Sequence, residues 1–156
     1  MEFSLADEII PFVERHLDEM VGIVTELGDA KVNQRPDLRE ANTPYAIVNH
    51  CTCVVNWWGG YQIAGRDVER DRPAEFTGCG DVASLATAVA KTKTRLRNDL
   101  ADVDLTAPVV DPGQYPEKHI VRTWTKAAAL VHLLEELAQH HGQLDLTRDL
   151  LVGGTV

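Results

Sequence analysis

The stretch VHLLEELAQHHGQ, residues 131–143, combines the apolar repeat of a helix with residues that can carry chemistry. Leu133 and Leu137 are four residues apart, as on the buried face of an α-helix. Glu136 and His140 have the same spacing, so they lie one turn apart on one side of that helix. A carboxylate and an imidazole so placed can hold one side of a divalent cation. The ion then needs a third ligand from another element.

The same stretch offers a competing pair, because His132 lies four residues before Glu136. His132 and His140 are eight residues apart, about 12 Å along a helix, whereas ligand atoms lie about 2.0–2.2 Å from their metal. Spacing therefore allows either histidine with Glu136, but not readily both. His141 points about 100° away from His140, so at most one of the two faces the site. Gln143 is close to this face and could hydrogen-bond to a ligand.

The third ligand is expected in residues 44–65, which carry no formal charge. Thr43-Pro44 is a helix start signal, an N-cap followed by proline in the first turn. His50 then falls on the apolar stripe of this helix. By length the segment could span a bilayer, but its Asn, His, Gln and Gly residues interrupt every apolar run. It is therefore predicted to be a helix buried in a bundle.

Four amphipathic helices are expected, over residues 5–27, 44–65, 82–100 and from 124 or 126 to about 150. Gly28 is the predicted end of the first helix. Two short apolar runs, 109–110 and 119–121, are candidate strands of a hairpin within residues 103–122. His16 and His119 have no partner at a helical spacing and are expected at the surface. The prediction is an all-α four-helix bundle forming a single domain over residues 1–156.

Composition limits the function classes. The chain has 156 residues, 44% of them hydrophobic and 25% charged, which is ordinary for one soluble domain. Its net charge of −9 argues against nucleic acid and anionic membranes as partners. Three cysteines, with no signal-peptide pattern at the start, favour a reducing cytoplasm over a disulfide framework. Cys53 has no motif that would mark it as a nucleophile.

Several motifs together resemble the DinB-like superfamily. They are the Thr-Pro start at 43–44, His50, the tryptophan pair at 57–58 and the segment HLLEELAQHHGQLD at 132–145. Within that superfamily, the chain is most similar to the branch that includes the N-terminal domain of mycothiol-dependent maleylpyruvate isomerase. The resemblance implies a four-helix bundle with one long crossover connection.

The resemblance also implies a ligand set. The positions of the metal ligands in the superfamily correspond to His50, Glu136 and His140 in this sequence. The resemblance therefore favours His140 over His132 as the histidine that binds with Glu136. His132 and Gln143 then become candidate pocket or ligand-supporting residues. Two imidazoles, one carboxylate and an open position suit zinc, while nickel, iron and manganese are chemically admissible.

The activity implied is transfer of a low-molecular-weight thiol such as mycothiol to an electrophile, with the metal activating the thiol. Isomerase activity in particular is not expected, because that isomerase has an additional C-terminal domain. One alternative is a metal-dependent hydrolase on the same site. Another is a non-catalytic dimeric bundle, or a small-ligand-binding protein, with a structural metal or none. Trp57 or Trp58, if exposed, would mark a homodimer face or a substrate pocket.

Overall fold

A computed structural model describes residues 4–112 and 124–153 of the chain. The predicted all-α four-helix bundle is confirmed, with one additional short helix. The elements in chain order are α1 (Leu5–Val32), α2 (Pro44–Val55), the π-helical segment (Asn56–Ile63), α3 (Arg72–Glu75), α4 (Val82–Leu100) and α5 (Lys126–Val152). The long members of the bundle are α1, α2 with the π-helical segment that continues it, α4 and α5.

The first helix is longer than the sequence predicts. Gly28 interrupts it with a φ of 65° and a ψ of 176°, a backbone conformation that glycine adopts readily. The chain then resumes a helical course as far as Val32, whose side chain is buried. Gly28 is thus a kink within α1 rather than its end.

The second helix begins where the Thr-Pro signal places it. The Thr43 side chain accepts a hydrogen bond from the Ala46 N–H, and Pro44 occupies the first turn. From Asn56 the helix widens into π geometry, a form that is rare and is frequently found at functional sites. Gly59 lies in that segment, where the absence of a Cβ leaves room for the Leu96 side chain of α4.

The core follows the apolar stripes predicted from the sequence. All four long helices contribute fully buried side chains, among them Leu17, Met20, Ile47, Leu85, Leu96, Leu130, Leu133, Leu137 and Leu144. Trp58 is also buried, so it is not available for a dimer face, whereas Trp57 is half-buried and stacks on Tyr61. Among the helices of the described residues, none combines the length and the apolar character that a membrane span requires.

The predicted hairpin is tested only in part, because residues 119–121 lie outside the described residues. The first candidate strand, residues 109–110, bonds to the π-helical segment and to the residue that precedes the cap of α5. The Val109 N–H donates to the Trp124 carbonyl, and the Val110 N–H donates to the Gln62 carbonyl. Extended pairing in the described residues is limited to an isolated bridge between Pro108 and Thr125. This segment therefore ties the π-helical segment to the start of α5.

Candidate metal centre

His50 is held in a single orientation by its surroundings. The side chain is 1% exposed, and its Nδ1–H donates to Glu75 Oε2 at 2.6 Å. Glu75 is itself buried and accepts from Arg70 Nε at 2.7 Å. The imidazole also stacks on Phe76, with ring centroids 4.4 Å apart. With Nδ1 engaged, Nε2 is the nitrogen left to bind a ligand.

Glu136 and His140 come together on α5 as their spacing predicts. Glu136 Oε2 lies 3.7 Å from His140 Nε2, and Glu136 Oε1 lies 3.6 Å from His132 Nε2. His140 Nδ1 is 2.9 Å from Gln143 Oε1, which accepts its proton. As at His50, this bond leaves Nε2 of His140 free to act as a donor atom toward a metal.

The fold brings His50 of α2 next to the Glu136–His140 pair of α5. One ligand atom from each of His50, Glu136 and His140 lies within 4.8 Å of the others. The two imidazoles meet edge to face, with centroids 4.6 Å apart. Two imidazole nitrogens and a carboxylate, with both far nitrogens hydrogen-bonded to side-chain oxygens, are a donor set that fits a divalent ion such as zinc.

Charge at the centre agrees with that chemistry. Burial lowers the pKa of His50, so its ring is neutral near pH 7, the form that can coordinate a cation. The contact with His140 lowers the pKa of Glu136, and the same contact raises the pKa of His140. Both shifts favour a positive charge beside the Glu136 carboxylate, and a bound cation would supply such a charge.

His132 occupies the other side of Glu136. Its ring lies edge-on to Trp58 and to Trp124, at centroid distances of 4.7 and 5.3 Å, and those two indoles stack at 5.2 Å. Among the described residues, His132 is not part of the group that includes His50. His132 lies instead between the Glu136 carboxylate and an aromatic wall formed by Trp58 and Trp124.

Glu75 and Arg70 were not predicted from the sequence. Both lie between the predicted helices 44–65 and 82–100, and neither has a partner at a helical spacing. Only the three-dimensional fold brings α3 next to His50. The contact of His16 with His141 was not predicted either, and His16, expected at the surface, is half-buried.

Cys51 and Cys53 are not reactive thiols. Cys51 is buried, and burial raises its pKa. Cys53 is partly buried, and its pKa is raised for the same reason. A thiol whose pKa is raised is largely un-ionised at neutral pH and is a poor nucleophile. Neither of these two cysteines is therefore suited to act as the nucleophile of thiol chemistry.

Comparison with known proteins places the chain in a family. The model of a family described as mycothiol-S-transferase matches residues 8–153, nearly the whole chain. Among curated proteins, no match is found. A crystal structure of a conserved protein from Enterococcus faecalis is similar in fold, with a TM-score of 0.73 and 15% sequence identity over 97% of this chain and 99% of that one. The chain belongs to the mycothiol-S-transferase family, within the DinB-like superfamily.

Proposed function

We propose that this chain is a divalent-metal-dependent S-transferase that joins a low-molecular-weight thiol, such as mycothiol, to a small electrophile. The observation that carries the proposal is the convergence of His50, Glu136 and His140 within 4.8 Å. Membership of the mycothiol-S-transferase family supports the choice of thiol. The raised pKa values of Cys51 and Cys53 agree with a nucleophile supplied by the co-substrate.

His50, Glu136 and His140 would hold the metal, for which zinc is the first expectation. With three protein ligands, a bound divalent ion keeps an open position and lowers the pKa of a thiol that occupies it. The contribution of the protein is to orient the two imidazole ligands. The Glu75–His50 bond and the Gln143–His140 bond fix which nitrogen of each ring faces the site.

His132, which lies against the aromatic wall of Trp58 and Trp124, is proposed to contact the co-substrates. The two indoles are buried, so their role would be to support the His132 ring, whose side chain is 15% exposed and lies 3.6 Å from Glu136 Oε1. An imidazole held in this way can contact planar or apolar groups. His132 and Gln143 are accordingly the proposed positioning residues on α5.

The test is a conjugation assay with zinc-loaded protein, an activated aryl chloride and a panel of thiols that includes mycothiol, glutathione and cysteine. In this substitution a carbon–sulfur bond forms, the carbon–chlorine bond breaks, chloride leaves and the thiol proton goes to solvent. We expect mycothiol to be the preferred thiol. Appearance of the thioether, followed by absorbance, measures the rate.

Adjacent carboxylates on α5 supply a matched pair of variants. Glu136→Gln should lose the zinc ion of this centre and the conjugation activity together. Glu135→Gln should retain both, because the Glu135 side chain is 58% exposed and lies outside the converging group. Equal rates in Glu136→Gln and wild type would contradict the proposal. Zinc-dependent release of aryl alcohol without any thiol would point instead to a hydrolase.

A further inference from the structure

A second group of ligand-type side chains lies between α1 and α5. His16 and Glu19 come from α1, and His141 comes from α5. His16 Nδ1 lies 2.9 Å from His141 Nδ1, and Glu19 Oε2 lies 3.5 Å from that same His141 nitrogen. One ligand atom from each residue falls within 4.8 Å of the others. The proposed function uses none of these three residues.

A hydrogen bond between the two rings accounts for only part of this arrangement. It requires one ring to carry its proton on Nδ1 and the other to accept with a lone pair. His141 Nδ1 is also faced by a carboxylate oxygen of Glu19. If His16 carries the proton, His141 Nδ1 accepts it and has no proton to donate to Glu19; if His141 carries the proton, one N–H is shared between two acceptors. A cation among the three donor atoms would satisfy all of them at once.

A carboxylate also lies on the far side of His141. Its Nε2 lies 3.8 Å from Asp145 Oδ2, longer than a hydrogen bond, and Asp145 Oδ1 forms an ion pair with Arg148 Nη1 at 3.1 Å. A carboxylate placed there favours a proton on Nε2 and a lone pair on Nδ1. The lone pair then points to His16 and Glu19. Glu75 has the corresponding place behind His50.

We propose that His16, Glu19 and His141 form a second divalent-cation site, with zinc as its ligand, that clamps α1 to α5. The donor set of two imidazoles and one carboxylate matches that of the first centre, and water can complete the coordination. Access is open, because the Glu19 side chain is 50% exposed and that of His141 is 15% exposed. The role inferred is structural, since the site joins two helices of the bundle.

Clamping has a measurable consequence. An ion that binds only the folded chain stabilises it in proportion to the logarithm of its free concentration. At a zinc concentration about 100-fold above Kd, the melting temperature should rise by about 5–10 °C for a chain of this size. Because His141 directly follows His140, the same clamp would also steady the turn of α5 that carries part of the first centre.

The test is zinc stoichiometry by equilibrium dialysis, together with thermal melts, on the full chain and its variants. Wild type should bind about two zinc ions. His16→Gln, His141→Gln and Glu136→Gln should each bind about one, and the Glu136→Gln/His141→Gln double variant should bind almost none. Glu26 is an exposed carboxylate on α1, two turns beyond Glu19. Glu26→Gln is therefore the control for Glu19→Gln and should retain both ions.

Two results separate the sites. If Glu136→Gln leaves the zinc content unchanged while His141→Gln lowers it, the second site stands and the first centre fails. If His16→Gln, Glu19→Gln and His141→Gln all keep the wild-type zinc content and melting-temperature shift, the second site is wrong. Glu19→Gln, with its half-exposed side chain, keeps the test valid should either histidine variant fail to fold.

Discussion

The two halves of the candidate metal centre are built differently. The α2 half is a single histidine, buried and fixed through Glu75 and Arg70. The α5 half is a pair of partly exposed side chains, Glu136 and His140, which contact each other, with His132 beside Glu136 and the Gln143 amide beside His140. One half is held in place by the tertiary fold, the other by the helical repeat. Changes to the α2 half should therefore disturb stability and metal binding together, whereas changes to the α5 half should mainly affect metal binding.

The largest effect is expected from removing the carboxylate behind His50. Glu75→Ala leaves the His50 Nδ1–H and the Arg70 guanidinium without their shared acceptor. Breaking a buried pair in this way costs about 3–5 kcal/mol. Urea denaturation of the metal-free protein measures the loss. Glu69→Ala, an exposed carboxylate nearby, is the control and should stay within about 0.5 kcal/mol of wild type. Equal losses in the two variants would show that Glu75 does not support the α2 half.

A milder change at the same position isolates the effect on the metal. Glu75→Gln keeps an acceptor for His50 but removes the negative charge that makes the imidazole a stronger ligand. Zinc affinity should fall about 10–100-fold. Competition with a chromophoric chelator measures this, in a His141→Gln background that leaves one site to observe. An unchanged affinity would mean that the carboxylate serves the fold alone.

The corresponding change on α5 should be smaller. Gln143→Ala removes the acceptor of His140 Nδ1, yet the side chain is only partly buried and water can replace it. We expect a fall in zinc affinity near the lower end of the range for supporting residues, about 10-fold. The free energy of unfolding should change by less than about 0.5 kcal/mol. A stability loss as large as that of Glu75→Ala would remove the contrast between the two halves.

The helix caps should show the smallest effects. Thr43 caps α2 and Thr125 caps α5, each through a side-chain oxygen that accepts a backbone N–H. Alanine at either position should cost about 1 kcal/mol of the free energy of unfolding, measured by urea denaturation. Because His50 lies two turns from Thr43 and is held by Glu75, zinc affinity should not change in Thr43→Ala. A tenfold loss of affinity would show that the start of α2 helps to place His50.

The same contrast explains what the sequence could predict. Periodic features are local, so the helix faces, the Thr-Pro start of α2 and the Glu136–His140 pair could all be recognised in the sequence. The π-helical segment could not, because no periodic pattern separates it from the α-helix that it continues. Glu75 and His16 were missed for a related reason. Their partners are 25 and 125 residues away in sequence, and no spacing rule connects residues so far apart.

Whether the centre of His50, Glu136 and His140 activates a thiol is tested most directly by X-ray absorption. The zinc edge of the His141→Gln protein is measured with and without mycothiol. Without thiol, zinc should have only nitrogen and oxygen neighbours, at about 2.0–2.2 Å. Mycothiol should add one sulfur neighbour at about 2.3 Å, and Glu136→Gln should abolish the whole signal. A nitrogen and oxygen shell that mycothiol leaves unchanged would contradict the claim that this centre activates a thiol.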